Sequence, residues 1–301
     1  MRPFHAALGA AVWSAFALWA AAQDEVPFVT TPDNVTLAML ELAGVTAADR
    51  VIDLGSGDGR IVITAARRFG ASGLGVEIVP ELVTKSRENA RKAGVAARAE
   101  FREQDLFRTD LAGYSVVTMY LLPEVNLQLR PRLLQLAPGT RIVSHDWDMG
   151  DWQPDRSVVV DAPDKPIGRE KKSTLHLWRV PAPVAGTWCA GGGARPATLA
   201  TAVATTLTIT QRFQHFSATL QRAGEPAPLL VWDGRIDATV LRSTEPASGT
   251  AGARTELRWQ PGQPGQPGQS DQLQVLRIAS VAPELQRAVF RAGPCAAPGA
   301  G

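Results

Sequence analysis

The chain has 301 residues and a nearly even charge, 31 basic against 29 acidic side chains. That length suits two domains better than one, and the even charge leaves no clustered Lys/Arg footprint of a nucleic-acid binder. The two cysteines, Cys189 and Cys295, are too few and too far apart for a zinc site, so no metal site is expected.

Arg2 opens a short basic region, and residues 6–19 are apolar apart from Ser14. Ala20-Ala21-Ala22 then offers a small-x-small cleavage site before Gln23. This pattern predicts a signal peptide over residues 1–22, with a run too short for a stable membrane span. It predicts an exported chain, periplasmic or secreted; the alternative is an uncleaved N-terminal membrane anchor.

Pro27 and Pro32 hold residues 26–33 extended. Thr31 is the expected N-cap of a helix over 32–43 that Gly44 ends. Val51-Ile52-Asp53-Leu54 reads as a buried parallel strand. Gly55, Gly57 and Gly59 then allow a tight turn into a helix whose amide-rich N-terminus is expected to face a ligand. A second strand ends in Glu77, at the distance where an acid meets ribose hydroxyls in nucleotide folds. A helix over 80–93, a strand over 99–102 and the turn Gln104-Asp105-Leu106-Phe107 follow. A strand over 115–122 leads into a helix at Pro123, and Pro138-Gly139 breaks it. Further strands are expected over 140–144, 158–161 and 173–180, the last two as an antiparallel edge pair. The alternation predicts an α/β fold with a doubly wound, Rossmann-like, seven-stranded sheet.

Which ligand the turn holds depends on glycine spacing. A dinucleotide fingerprint needs its third glycine one residue later, where Arg60 stands. The pattern Asp53-x-Gly55-x-Gly57-x-Gly59 instead resembles motif I of the class I S-adenosyl-L-methionine (SAM) methyltransferases. That ligand ends in a zwitterion beside a sulfonium, and a carboxylate such as Asp53 suits its positive groups. The resemblance implies SAM as cofactor. The implied cofactor residues are Asp53, Gly55, Ser56, Gly57 and Gly59, Glu77 on the ribose, and Asp105 on the adenine amino group with Leu106 against the ring. Over residues 26–181 the chain resembles a bacterial group of these enzymes. It is similar, more distantly, to the mitochondrial lysine methyltransferases that modify adenine nucleotide translocase and the ATP synthase c-ring protein. Pro27-Phe28-Val29-Thr30-Thr31-Pro32, the stretch 53–63 and Gly75-Val76-Glu77 carry this likeness. It implies a protein-lysine acceptor. The chain departs from that family after the fourth strand, in its long C-terminal region and in its leader.

Residues 28–31, 120–123 and 144–152 are expected to meet beside the transferable methyl. Tyr120, Asp146 and Trp147 are the candidate catalytic residues. Tyr120-Leu121-Leu122-Pro123 lacks the Asn/Asp-Pro-Pro-Tyr of nucleic-acid amino-methyltransferases, so no nucleic-acid partner is expected. The loop 144–152 carries Asp146, Asp148, Asp151, Trp147 and Trp152, a rim expected to attract a cationic substrate. These features predict methyl transfer from SAM to an amine, with a protein lysine as lead. The alternative is a non-catalytic exported binding protein of the same fold.

The domains are expected at 23–182 and 183–301, joined at Pro181-Ala182-Pro183. The second alternates like β-strands over 206–210, 216–220, 236–240, 256–259 and 273–276, predicting a sandwich or a barrel. Gly186-Thr187-Trp188 opens it, Asp233-Gly234 signals a hairpin, and 261–269 is a Pro-Gly-Gln loop. In a closed or face-packed β-domain the first and last strands lie side by side. Cys189 and Cys295 are therefore expected to meet in a disulfide, which an oxidising compartment preserves.

Overall fold

A computed structural model describes residues 29–190, 204–244, 254–263, 270–278 and 282–295. The expected leader at 1–22, and residues 264–269 of the Pro-Gly-Gln run, lie outside the described residues.

The first unit is a seven-stranded sheet. Its strands are β1 (Arg50–Leu54), β2 (Ser72–Glu77), β3 (Ala99–Glu103), β4 (Val116–Met119), β5 (Arg141–His145), β6 (Arg156–Asp161) and β7 (Lys172–Arg179). Their order is β3-β2-β1-β4-β5-β7-β6. β1 pairs in parallel with both β2 and β4, and four of its five residues are buried. The order reverses between β1 and β4, so the crevice at their carboxyl ends is the place for a ligand. The expected antiparallel edge pair is present: β7 pairs antiparallel with β5, and β6 pairs antiparallel with β7 to end that side of the sheet.

Helices α1 (Asp33–Ala43), α2 (Arg60–Phe69) and α3 (Pro80–Lys92) cover one face. Val35, Met39 and Leu40 of α1 pack there on Val51, Val116, Val143 and Leu175. α1 begins one residue later than expected, and no side chain caps it. The Thr31 hydroxyl lies instead 3.2 Å from Nδ1 of His145. α4 (Pro123–Leu133) sends Leu129 and Leu133 to the other face, onto Ile52, Leu54, Val117 and Ile142. The β3–β4 connection carries only the 3-10 turn Leu106–Arg108, and the β5–β6 crossover, residues 146–155, contains no helix. Trp152 and Trp178 fill part of that face, and Phe213 of the second unit packs against them.

The second unit is a closed eight-stranded antiparallel barrel, which decides between sandwich and barrel. Its strands are β8 (Gly186–Ala190), β9 (Thr205–Arg212), β10 (His215–Arg222), β11 (Leu230–Asp237), β12 (Val240–Ser243), β13 (Glu256–Gln260), β14 (Gln272–Arg277) and β15 (Val289–Ala292). Each pairs with the next, and β15 closes on β8. Alternate residues such as Leu207, Ile209, Phe216, Ala218, Leu220 and Trp232 point inward, the pattern of a barrel whose side chains fill it. The Cys189–Cys295 disulfide is present with its Cα atoms 5.0 Å apart, and Cys189 sits opposite Arg291 across the β8–β15 seam. A cross-link closing 106 residues contributes about 4–5 kcal/mol by restricting the unfolded chain.

Two local expectations in the barrel are corrected. Residues 236–240 are not one strand: β11 ends at Asp237, Ala238 turns at φ 54°, and β12 begins at Val240. Asp233-Gly234 is not a hairpin but lies inside β11, opposite Ser217 and Phe216. A Cβ on Gly234 would sit 2.3 Å from the Phe216 ring, so the glycine is there to admit that ring. Gly234→Ala should therefore destabilise the barrel by about 1–3 kcal/mol through overpacking. Denaturant unfolding followed by barrel tryptophan fluorescence checks this; an unchanged midpoint would contradict the packing argument.

Candidate active site

The glycine turn lies at the carboxyl end of β1. Gly55, Gly57 and Gly59 all take left-handed φ, at 76°, 52° and 84°. The amides of Gly55 and Ser56 both donate to the Val76 carbonyl, at 3.0 and 2.9 Å. The Gly59 amide donates to Ser56 O, and the Arg60 amide to Asp58 Oδ1. The Gly57 amide donates to Glu77 Oε2 at 2.9 Å. These five N–H groups have partners within the protein. The turn also contributes shape. At Gly59 a Cβ would fall 2.6 Å from the Phe101 ring and 2.8 Å from Ser86 Cβ, so this glycine lets α2 pack against β3 and α3.

Glu77 is tied down by three amides. Its Oε1 accepts from Ile78 and Val79 at 2.8 and 3.1 Å, besides the Gly57 bond to Oε2. Three of its four lone-pair sites are thus used, and Oε2 keeps one for a hydroxyl donor. The Gln104 amide donates to Glu77 O, which brings the turn at Asp105 beside this strand end. Asp105 Oδ1 caps the 3-10 turn by accepting from the Phe107 amide at 2.8 Å. Leu106 is half-buried there and Phe107 is exposed.

Asp53 carries the least compensated charge. It is 2% exposed, and Thr118 donates to its Oδ1 at 2.7 Å. Burial, with the negative charges of Glu77 and Asp58 adding to it, pushes its pKa up to about 7 despite the Thr118 bond. Asp58 is different. Burial would raise it, but the Arg60 guanidinium grips it at 3.0 and 2.7 Å and holds its carboxyl below the usual range. Arg60 also donates to Thr31 O at 2.7 Å, clasping the chain before α1 over the turn. The sequence reading missed this role. The signal was the Asp58-Gly59-Arg60 spacing, which puts two opposite charges on one side of a turn.

The residues expected beside the transferable methyl lie at the ends of β4 and β5. The Tyr120 ring stacks on the His145 ring, centroids 3.9 Å apart, and its hydroxyl donates to Asp146 Oδ2 at 3.4 Å. Burial and the Asp146 charge raise Tyr120 to about 12. His145 is fully buried with Nε2 2.7 Å from Ser173 Oγ, and burial pushes its pKa down to about 4. Asp146, in left-handed φ of 64°, accepts from the Thr174 amide and pairs with Lys165 Nζ at 2.6 Å. Buried Asn126 of α4 directs its side-chain amide at the carbonyls of Trp147 and Asp148, each 3.2 Å away. No spacing in the sequence points to Lys165, Ser173 or Asn126.

The structure brings Tyr120 and Asp146 together and leaves Trp147 exposed next to them. The acidic, two-tryptophan rim is corrected. Trp152 is buried in the core. Asp151 is held by Arg130 and Arg212, and Asp146 by Lys165. Trp147 and Asp148 remain at the rim. Two surface grooves of about 250 and 370 Å³ lie around Arg50, Leu74 and Tyr114, at the opposite ends of these strands.

A buried carboxylate crowded by other acids, a fixed acid at the end of β2 and the buried Ser56 hydroxyl with no partner fit a ligand carrying positive charge and ribose hydroxyls. Together with the strand order they define a class I SAM-dependent methyltransferase. The ANTKMT methyltransferase domain family matches residues 53–156. A protein-lysine N-methyltransferase of Saccharolobus islandicus is 44% identical over 138 residues, 45% of this chain and 86% of that protein. The mouse adenine nucleotide translocase lysine N-methyltransferase is 36% identical over 117 residues, 38% of this chain and 51% of its own length. The chain thus spans about half of that mammalian relative. A Salinibacter ruber structure described as an RNA methyltransferase in complex with S-adenosyl-L-homocysteine shares 53% identity, covering 51% of this chain and 94% of that one, with a TM-score of 0.47. The chain belongs to this family of SAM-dependent methyltransferases.

The raised Asp53 pKa fixes a pH dependence. Between its ordinary 3.8 and about 7 the folded protein binds a proton that the unfolded chain does not. Stability of the ligand-free protein should therefore fall as pH rises across that window. Asp53→Asn should flatten this slope, stabilise the ligand-free protein at pH 8 and weaken SAM at least about tenfold. Melting temperatures from pH 4 to 8 check it; an identical slope in the variant would contradict the assignment.

Proposed function

We propose that this enzyme transfers the SAM methyl group to an amine, with a protein lysine as acceptor. The observation that carries this is the Tyr120–His145–Asp146–Lys165 cluster beside exposed Trp147. It offers an aromatic surface and hydrogen-bond acceptors, and no group poised as a strong base near neutral pH. The name of the Saccharolobus islandicus relative supports lysine. The intact cofactor pocket gives no support to a non-catalytic binding protein.

The bound cofactor supplies the activated methyl carbon, and the protein supplies alignment. Asp53 would hold the positive end and Glu77 the ribose. Tyr120 keeps its proton, and Asp146, paired with Lys165, holds its hydroxyl in place. A lysine ammonium must shed its proton before its nitrogen attacks, and here that proton goes to solvent. We also propose that Tyr120, Asp146 and Trp147 line the acceptor path, and that the chain works in an oxidising compartment outside the cytosol. The Cys189–Cys295 bridge supports such a location. Among the described residues no helix is long and apolar enough to cross a membrane.

Radiolabelled SAM, with lysine-containing peptides, proteins and RNA as acceptors, tests the reaction. Label on lysine Nε, read by mass spectrometry of the products, is the expected result. Label confined to RNA or to carboxylates would overturn the reading. The rate should climb with pH toward the lysine pKa of about 10.4, with no inflection near 7 once SAM is saturating. A plateau beginning at neutral pH would reveal a base that this reading lacks.

A further inference from the structure

The β5–β6 crossover is held from two sides. On one side α4 reaches it: Asn126 bonds the carbonyls of Trp147 and Asp148, and Arg130 donates to Met149 O at 2.8 Å and pairs with Asp151. On the other side is the barrel hairpin between β9 and β10. Arg212 Nη2 lies 3.0 Å from Asp151 Oδ2. The Phe213 ring stacks on Trp152, centroids 6.0 Å apart and planes 18° apart. Gln214 Nε2 donates to Gln153 O at 2.7 Å. One strand further round, Arg235 pairs with Asp155. Three successive residues of one hairpin thus grip three successive residues of the crossover.

Several features make this a built junction. Phe213 sits at φ 53°, a left-handed conformation that phenylalanine rarely takes, and its ring is seated between Trp152 and the guanidinium groups of Arg130 and Arg212. Asp151 is shared by the same two arginines, one from each unit. The grip also has a short path to the rim. Met149 and Trp152 form an antiparallel bridge, and Asp148 Oδ1 accepts from the Gly150 amide at 3.0 Å. Residues 148–152 therefore form one tight turn, with the hairpin on its far end and Trp147-Asp148 on its near end. This crossover has no helix to stiffen it, so stiffness must come from what packs on it.

The geometry points to a positioning role for the barrel in catalysis: Arg212, Phe213 and Gln214 hold the acceptor-side rim at Trp147-Asp148 in place. They touch neither cofactor nor acceptor and act through Asp151–Gln153. The proposal rests on the methyltransferase reading only for its kinetic arm. It assigns the barrel a task that the glycine turn does not share, so the two substrates should respond differently.

The test uses the full chain with Arg212→Gln and Phe213→Ala, singly and together, and Phe213→Tyr as the conservative variant. Hydrogen exchange read by mass spectrometry needs no acceptor. In the double variant the amides of 147–150 should exchange about tenfold faster or more, while those of 55–60 and of β9 and β10 stay as protected as in the parent. With a lysine-containing probe peptide, the Michaelis constant for the peptide should rise about fivefold or more, while the SAM dissociation constant stays within about twofold. Phe213→Tyr should restore both readouts. Unchanged exchange at 147–150 would overturn the proposal. So would equal losses for peptide and SAM, or general loss of protection in both units in every single variant. If no peptide is methylated by the parent protein, the lysine reading fails, and the exchange experiment alone decides the positioning role.

Discussion

A carboxylate without a cation of its own governs this site. Asp53 ends the buried central strand, with Glu77 and Asp58 nearby and only the Thr118 hydroxyl donating to it among the bonds described. In such surroundings a carboxyl group takes up a proton sooner than carry an isolated charge. In the proposed role, a ligand bearing ammonium and sulfonium would reverse that preference and complete the pocket electrostatically. Arg60 belongs to the same arrangement. By pairing with Asp58 it keeps that second acid from remaining unpaired, and by reaching Thr31 O it fixes the chain before α1. The direct bond from Gly57 N–H to Glu77 links the turn after β1 to the acid at the end of β2, so residues of two strand ends are tied together.

The region around Tyr120 and Asp146 is built on other terms. Its charges are paired internally, Asp146 with Lys165 and Asp151 with Arg130 and Arg212. What remains toward the rim is aromatic and hydrogen-bonding. Shape then matters more than charge, and shape depends on a crossover that lacks a helix. The barrel supplies packing on that face through Phe213 and is itself closed covalently at Cys189–Cys295.

The sheet was legible in the sequence because its signals are local. Val51–Leu54 is continuously apolar but for Asp53, the glycines follow at fixed spacing, and Glu77 lies where the second strand must end. The disulfide was legible because the first and last strands of a closed β-domain are neighbours whatever lies between them. What the sequence hid was pairing across distance. Lys165 reaches Asp146, and Asn126 reaches the crossover, over separations that no spacing rule encodes. The acidic loop misled for the same reason, since its partners Arg130 and Arg212 come from a helix and from the other unit. Asp233-Gly234 misled because glycine serves two ends, and here the need was room for the Phe216 ring.

Proton exchange on cofactor binding addresses the central claim most directly. Calorimetric titration of SAM at pH 6.5, in two buffers of different ionisation heat, counts the protons released or taken up. With its pKa near 7 in the ligand-free protein, Asp53 should give up most of a proton when the ligand's positive groups arrive. The parent protein should therefore release more protons than Asp53→Asn, by a difference that shrinks toward zero at pH 8.5. Equal proton counts in the two proteins at pH 6.5 would contradict the assignment of Asp53 as the charge that the cofactor completes.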